Sequence, residues 1–224
     1  MLLTESSTDP NFFRTRSILT SRNSSVKEIN HVLIDRLPRE TTEYLLEDKA
    51  GQPEDNSADL PPVEVLNSLK INGLPSSRLR LKVGTPIMLL RNINPDVGLC
   101  NGTRLVVTRL GQNCIEARVI AGKASGEIHF IPRIKLSSDE KDLGFILTRR
   151  QFPVQICFAM TINKSQGQSF DVLGVDLRWP VFSHGQFYVG MSRTTDVHNL
   201  TVLSPPETDG KVLNIEYPEV LISR

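Results

Sequence analysis

Residues 154–177, VQICFAMTINKSQGQSFDVLGVDL, place a polar loop between two apolar segments. Val154 to Ser165 reads as an apolar strand or helix ending in polar residues, and Val172 to Leu177 reads as a strand. Ser183 then begins a helix, with Gln186 at capping-box spacing, and Leu200 to Leu203 reads as a further strand. The same rhythm occurs near the start of the chain. Ser17-Ile18-Leu19-Thr20 looks like the end of a buried strand, and it runs into Ser-Arg-Asn-Ser-Ser, which is rich in helix-capping side chains. Ser25 and Glu28 have capping-box spacing, and Val26, Ile29, Val32, Leu33 and Leu37 recur at helical intervals until Pro38 stops the pattern. The loop before this helix is suited to present backbone N–H groups and Arg22 to a phosphate.

Between these ends the period changes to two. Arg78, Arg80 and Lys82 alternate with Leu79, Leu81 and Val83, and Gly84-Thr85-Pro86 leads into the apolar run Ile87 to Leu90. Further strands are expected at Leu105 to Leu110, Cys114 to Ile120 and Glu127 to Ile131, separated by Asn101-Gly102, Gly111-Gln112-Asn113 and the segment 122–126. Strands this short and evenly spaced predict a small antiparallel β-barrel. The fold class is therefore α/β. A layered domain is made from residues 12–77 and 150–205, with the barrel inserted at 78–149 and a tail at 206–224.

The chain has 224 residues, 39% hydrophobic and 23% charged, a globular mixture rather than a disordered one. No apolar run approaches the roughly 18 residues of a membrane span, and the first residues lack the pattern of a signal peptide, so no membrane partner is expected and the chain reads as intracellular. The three cysteines, Cys100, Cys114 and Cys157, are odd in number and far apart, and His31, His129, His184 and His198 have no metal-ligand spacing; no metal site is expected. Charge is unevenly distributed. Residues 78–135 hold ten basic side chains against three acidic, while residues 40–64 hold eight acidic side chains and one lysine. The acidic, proline-containing stretch reads as a surface excursion. The basic stretch either attracts a polyanion or is scattered over a solvated surface.

The loop from Thr161 to Ser169 packs a cation, hydroxyls, amides and a glycine into nine residues, an inventory suited to phosphate or nucleic acid. Lys164 supplies a point charge, Thr161, Ser165 and Ser169 supply hydroxyls, and Gly167 permits close backbone approach. Arg193 follows the helix that starts near Ser183, where it either reaches a phosphoryl transition state or neutralises its own helix C-terminus. The chain contains no Gly-x-x-x-x-Gly-Lys-Ser/Thr loop and no apolar strand ending in an Asp-Glu pair, so P-loop hydrolysis by this chain alone is not expected. Gly-x-Ser-x-Gly and Gly-x-Gly-x-x-Gly signatures are also absent.

Three strings in order, LKVGTPIMLLRNINPDVGLCNGTRL (81–105), RRQFPVQICFAMTINKSQGQSFDVLGVDL (149–177) and FSHGQFYVGMSR (182–193), resemble the C-terminal half of Pif-one-type DNA helicases, with the version carried by Helitron transposons, or a host copy derived from one, as nearest subtype. The resemblance covers residues 14–205. It implies the second RecA-like motor domain of an ATP-dependent helicase that moves 5′ to 3′ on single-stranded DNA, interrupted by a small barrel. Through the family's fourth motif it implies DNA-backbone contacts by Thr20, Ser21, Arg22 and Asn23. Through the fifth it implies DNA contacts by Thr161, Asn163, Lys164 and Ser165, and nucleotide contacts by Gln166, Gly167 and Gln168. Through the sixth it makes Arg193 the arginine finger, supported by Gln186 and Tyr188. Asn101, Gly102 and Thr103 match a family turn, either as plain turn chemistry or as ligand contacts.

ATP and Mg²⁺ are the implied cofactors, both requiring a first motor domain that supplies the nucleotide loop and the acidic pair. The implied partners are single-stranded DNA and that first motor domain, in cis or in trans. Nuclear localisation, in a eukaryote, and work in DNA repair, recombination and telomere maintenance complete the implied picture. The competing expectations are a non-catalytic nucleic-acid-binding module and a truncated transposon-derived fragment. A motor half without its partner leaves apolar surface uncovered, which predicts self-association.

Overall fold

The computed structural model describes residues 12–51, 62, 65, 75, 78–137 and 146–217. In chain order its main elements are β1 (Arg16–Thr20), α1 (Asn23–Arg36), β2 (Thr42–Leu45), β3 (Glu47–Gly51), β4 (Arg78–Leu81), β5 (Pro86–Leu89), β6 (Arg104–Leu110) and β7 (Cys114–Val119). They continue as β8 (Ile128–Pro132), β9 (Ile134–Ser137), β10 (Ile146–Gln151), β11 (Val154–Ile156), β12 (Ala159–Thr161), β13 (Val172–Asp176), α2 (Gln186–Met191) and β14 (Leu200–Leu203). The chain divides after Pro38 and before Cys157 into two compact units.

The outer unit carries a four-stranded sheet in the order β12-β1-β13-β14, with every neighbouring pair parallel. Leu19, Ala159, Met160 and Leu173 are fully buried, while Ile18 and Gly174 are half-buried. Helix α1 faces the sheet with Val26, Asn30, Leu33 and Ile34. Asn30 makes a two-way hydrogen bond with one residue of the edge strand: Nδ2 donates to the Ala159 carbonyl (3.0 Å) and Oδ1 accepts from the Ala159 N–H (2.8 Å).

Two details differ from the sequence expectation. The helix starts at Asn23, with Arg22 at the cap and no side-chain cap bond, so Ser25 lies inside the first turn, buried, and forms no capping box with Glu28. Val32 is exposed, because the buried stripe runs through Asn30 and Ile34 instead.

The inserted unit, residues 39–156, is antiparallel throughout. Its strands form sheets of five (β11-β5-β6-β7-β8), three (β3-β10-β9) and two (β2-β4). Leu79, Leu81, Ile87, Leu105, Ile115, Ile131, Phe152 and Val154 share one core. The strands expected from alternation over residues 78–131 are present; a single ring of hydrogen-bonded strands is not formed among the described residues. The unit also begins earlier than residue 78, because β2 pairs with β4 and β3 with β10. Residues 42–51 of the acidic stretch are thus strands rather than an excursion, and residues 52–61 lie outside the described residues.

Part of the basic surplus of this unit is engaged in the fold. Lys82 and Arg104 are buried, Arg109 pairs with Glu116 (3.4 Å), Arg78 pairs with Glu43 (3.8 Å), and Arg133 lies over the rings of Tyr44 and Phe152. At the 101–103 turn, the Thr103 hydroxyl donates to the Gly98 carbonyl (2.8 Å) and accepts from the Cys100 N–H (3.1 Å), and Gly102 has φ +90°. These bonds account for the turn as turn chemistry.

Candidate functional site

A parallel sheet gathers the carboxyl ends of its strands at one edge, so Thr20, Thr161, Asp176 and Leu203 end on the same side of the outer unit. From β1 the chain passes through α1 towards β12 on one flank; from β13 it passes through α2 to β14 on the other. The direction reverses between the adjacent strands β1 and β13. Such a switch point opens a crevice beyond the carboxyl ends, the usual ligand position in open α/β sheets.

The segment after β12 makes a 3-10 turn over Ile162–Ser165 and then returns to the start of β13. Its first residues therefore lie at the carboxyl edge, and Gln168 folds back on them, its N–H donating to the Ser165 carbonyl (3.0 Å) and its Nε2 to the Lys164 carbonyl (3.1 Å). Helix α2 runs beside it and is tied to it along its length. Near the helix start, Gln186 is buried; its Nε2 donates to Asn163 Oδ1 (3.4 Å), and its Oε1 accepts from the Phe182 N–H (3.0 Å). The Phe182 bond replaces the expected capping box with Ser183: the helix is capped by Gly185, at φ +70°, with no side-chain cap bond. In the middle, Gly190 packs against buried Ile162 so closely that a Cβ there would stand 3.3 Å from Ile162 Cδ1. Beyond the helix end, Arg193 Nη1 donates to the Gln168 carbonyl (3.4 Å), and the Arg193 carbonyl accepts from the Phe170 N–H (2.8 Å).

Arg193 is half-buried and also donates through Nε to the Val189 carbonyl (2.9 Å) and through Nη2 to Ser192 Oγ (2.9 Å). The bond to Val189 is the helix-terminus interaction expected of a basic residue at this place. The bond to Gln168 brings the same guanidinium to the polar loop. One arginine thus joins the two segments that the sequence singled out separately.

The candidate residues separate by exposure. Arg22, Asn23, Asn163, Lys164, Gln166 and Gly167 are exposed, Thr161 and Gln168 are half-buried, and Tyr188 is 74% exposed. Thr20, Ser21 and Ser165 are buried. The Ser21 hydroxyl donates to the Trp179 carbonyl (2.9 Å), and the Ser165 hydroxyl donates to the Ile162 carbonyl (2.6 Å). Both hydroxyls hold loops in shape from beneath. Gln186, also buried, holds Asn163 and Phe182 through its side-chain amide.

Two features of this edge had been missed. Asp176, buried at the end of β13, accepts from Arg178 through both carboxylate oxygens (Nε–Oδ1 3.0 Å and Nη2–Oδ2 2.7 Å), and that bond raises the guanidinium pKa above its ordinary value. Trp179, the only tryptophan of the chain, is 53% exposed and lies under the Arg22 guanidinium, 4.5 Å from its ring centroid. A lone tryptophan in a polar turn before Pro180 was the available signal. Among the described residues, no cluster of three or more His, Cys, Asp or Glu side chains is placed to hold a metal, and no helix is long and apolar enough to cross a membrane.

Residues 64–110 match the family description "DNA helicase Pif1, 2B domain". Among curated relatives, the human ATP-dependent DNA helicase PIF1 is 35% identical over 131 residues, 57% of this chain and 20% of that protein. The Bdellovibrio bacteriovorus ATP-dependent DNA helicase Pif1 is 30% identical over 128 residues, 57% of this chain and 28% of that protein. Among solved structures, the Pif1 helicase from Candida albicans superposes with a TM-score of 0.68 at 22% identity, covering 92% of this chain and 48% of that one. Bacteroides Pif1 bound to ssDNA gives 0.65 at 24% identity, covering 92% and 44%. The likeness to Pif1-type DNA helicases thus holds in sequence and in fold. The matched segment spans about a fifth of the human relative, and the superpositions cover under half of these two solved chains.

Proposed function

We propose that this chain is the C-terminal portion of an ATP-dependent 5′-to-3′ DNA helicase: a second RecA-like motor domain, interrupted by a barrel-type insertion, that supplies the arginine finger and part of the single-strand track. The observation that carries the reading is the bracing of α2 along loop 161–168 by Gln186–Asn163, Gly190–Ile162 and Arg193–Gln168. It joins a strand-facing group and a phosphate-facing group into one body.

In this reading Arg22, Asn23, Thr161, Asn163 and Lys164 meet the DNA backbone at the carboxyl edge. Gln166, Gly167, Gln168 and Arg193 meet ATP, with Tyr188 exposed beside them. The Arg193 guanidinium has five donors in a planar fork, and its present acceptors are two backbone carbonyls and a hydroxyl. Phosphoryl oxygens, which carry the charge that develops in the transition state, are stronger acceptors than these carbonyls. The described residues offer no metal cluster, so Mg²⁺ is left to the nucleotide and to the first motor domain, which also supplies the missing nucleotide loop. The chain alone is then inactive as an ATPase.

The test is single-strand-stimulated ATP hydrolysis by the purified chain, alone and mixed with a separately expressed first motor domain of a Pif1-type helicase. Activity is expected only in the mixture and is expected to fall roughly a thousandfold or more with Arg193→Ala. Hydrolysis by the chain alone, or a mixture indifferent to the substitution, refutes the reading.

One observation favours a second reading, a nucleic-acid-binding module without catalysis: Arg193 already has acceptors in its own helix end. Steeply salt-dependent DNA binding that no nucleotide alters would select it.

A further inference from the structure

Trp179 has no place in the functional reading above, yet it stands at the switch point between β1 and β13, three residues beyond the end of β13. The loop after β1 fixes it in two ways. Ser21 Oγ donates to its backbone carbonyl (2.9 Å), and Arg22 lies against its ring, 4.5 Å from the centroid. The neighbouring Arg178 is committed to Asp176 through several hydrogen bonds, so Arg22 is the cation given to the indole. With its backbone tethered and one face covered by a guanidinium, the residue still leaves 53% of its surface open, and Phe182, three residues on, leaves 55%.

An apolar ring this large is normally buried where it can be. A held ring with a cation against one face and more than half of the residue's surface open has the chemistry of a stacking platform, because a nucleotide brings a flat base and an anionic phosphate together. We infer that Trp179 stacks on a base of single-stranded DNA, with Arg22 held against the ring and meeting the adjoining phosphate. This inference rests on the single-strand reading of the same edge, and it adds a base contact to a track otherwise made of backbone contacts.

Because the chain has one tryptophan, its emission reports this position alone. The experiment titrates the full chain with an oligothymidylate of about 16 nucleotides and with an abasic oligomer of equal length, following tryptophan emission and, separately, the anisotropy of the labelled oligomers. The expected result is saturable quenching by oligothymidylate on the same isotherm as anisotropy, and binding of the abasic oligomer without quenching. Trp179→Ala should weaken oligothymidylate binding about fivefold or more and leave abasic binding unchanged, while Trp179→Phe retains most of the affinity.

Oligothymidylate binding with unchanged emission, or equal quenching by the abasic oligomer, overturns the platform and leaves single-strand binding standing. Absence of binding by both oligomers overturns the platform and the single-strand reading together. The wild-type titration decides the matter even where Trp179→Ala fails to fold.

Discussion

Asn30→Ala removes a side chain that does the work of a neighbouring strand. β12 is an edge strand, paired with β1 on one side through the register Ile18↔Ala159. On its other side, the N–H and C=O of Ala159 are both met by the Asn30 amide, at 2.8 and 3.0 Å, with Ala159 wholly buried. Truncation leaves a buried donor and a buried acceptor without their partner, each costing roughly 1–3 kcal/mol. The expected loss is about 2–6 kcal/mol. With a urea m-value of order 2 kcal/mol/M, that is a midpoint about 1–3 M lower at unchanged m. Trp179 lies in the same unit as Asn30, so its emission follows the relevant transition. Hydrogen exchange at the Ala159 amide should accelerate in step with the lost stability. A loss below about 1 kcal/mol, with that amide still protected, would show that these groups do not depend on Asn30 and would refute the edge-closing role.

Gly190→Val should cost about 1–3 kcal/mol, because the Cβ alone already presses Ile162 at 3.3 Å and two further methyls have no space; by calorimetry that is a melting point several degrees lower, and an unchanged one would mean that α2 does not pack on the 3-10 turn. Tyr44 is buried and donates its hydroxyl to the Gly111 carbonyl (2.9 Å), and burial pushes its phenol above the usual value near 10. The folded state therefore holds this proton longer than the unfolded state, so the stability it contributes is complete below pH of about 10 and is lost as pH rises through the folded value. Absorbance titration near 295 nm should show a phenol, lost in Tyr44→Phe, that ionises above about 10; its ionisation at the ordinary value contradicts its burial.

The legible parts of the sequence were those where burial follows a local period. Leu79 and Leu81 alternate with Arg78 and Arg80, and the strand is where they place it. β2 escaped notice because Tyr44 is its only buried residue and acidic side chains surround it. The capping boxes at Ser25 and Ser183 failed for a related reason. Spacing fixes which side chains are available to cap, whereas the sheet fixes where the helix begins, and Ser25 is drawn into the buried first turn. At the candidate site, residue type singled out polar loops but not which of their hydroxyls face outward. Ser21 and Ser165 have backbone carbonyls within reach inside the protein, at 2.9 and 2.6 Å, and turn towards them. The Arg193–Gln168 bond joins residues 25 apart in sequence, a separation that no local pattern encodes.

The position of loop 161–168 bears on coupling under the proposed function. As a crossover between parallel strands it begins at the carboxyl edge of the sheet and leads on to the start of β13, and in the proposed function its residues meet two different ligands. Helix α2 spans the same interval, roughly 10 Å from Gln186 to Arg193 at 1.5 Å per residue, and is pinned at both ends and in the middle. Loop and helix are therefore constrained to move together: a displacement of Arg193 towards phosphate carries Gln168 with it, and Ile162 and Gly190 have no slack to absorb the shift. A ligand shifts a conformational equilibrium only by its differential affinity for the two states, and coupling between sites is reciprocal. Single-stranded DNA held by Asn163 and Lys164 should thus alter nucleotide affinity in a complex with the first motor domain by the same factor as nucleotide alters DNA affinity. Gly190→Ala, which tightens the central pin without touching either ligand, is expected to change that factor while leaving each affinity measured alone close to its original value. Equal factors in the wild type and the variant would show that the coupling runs through another part of the fold.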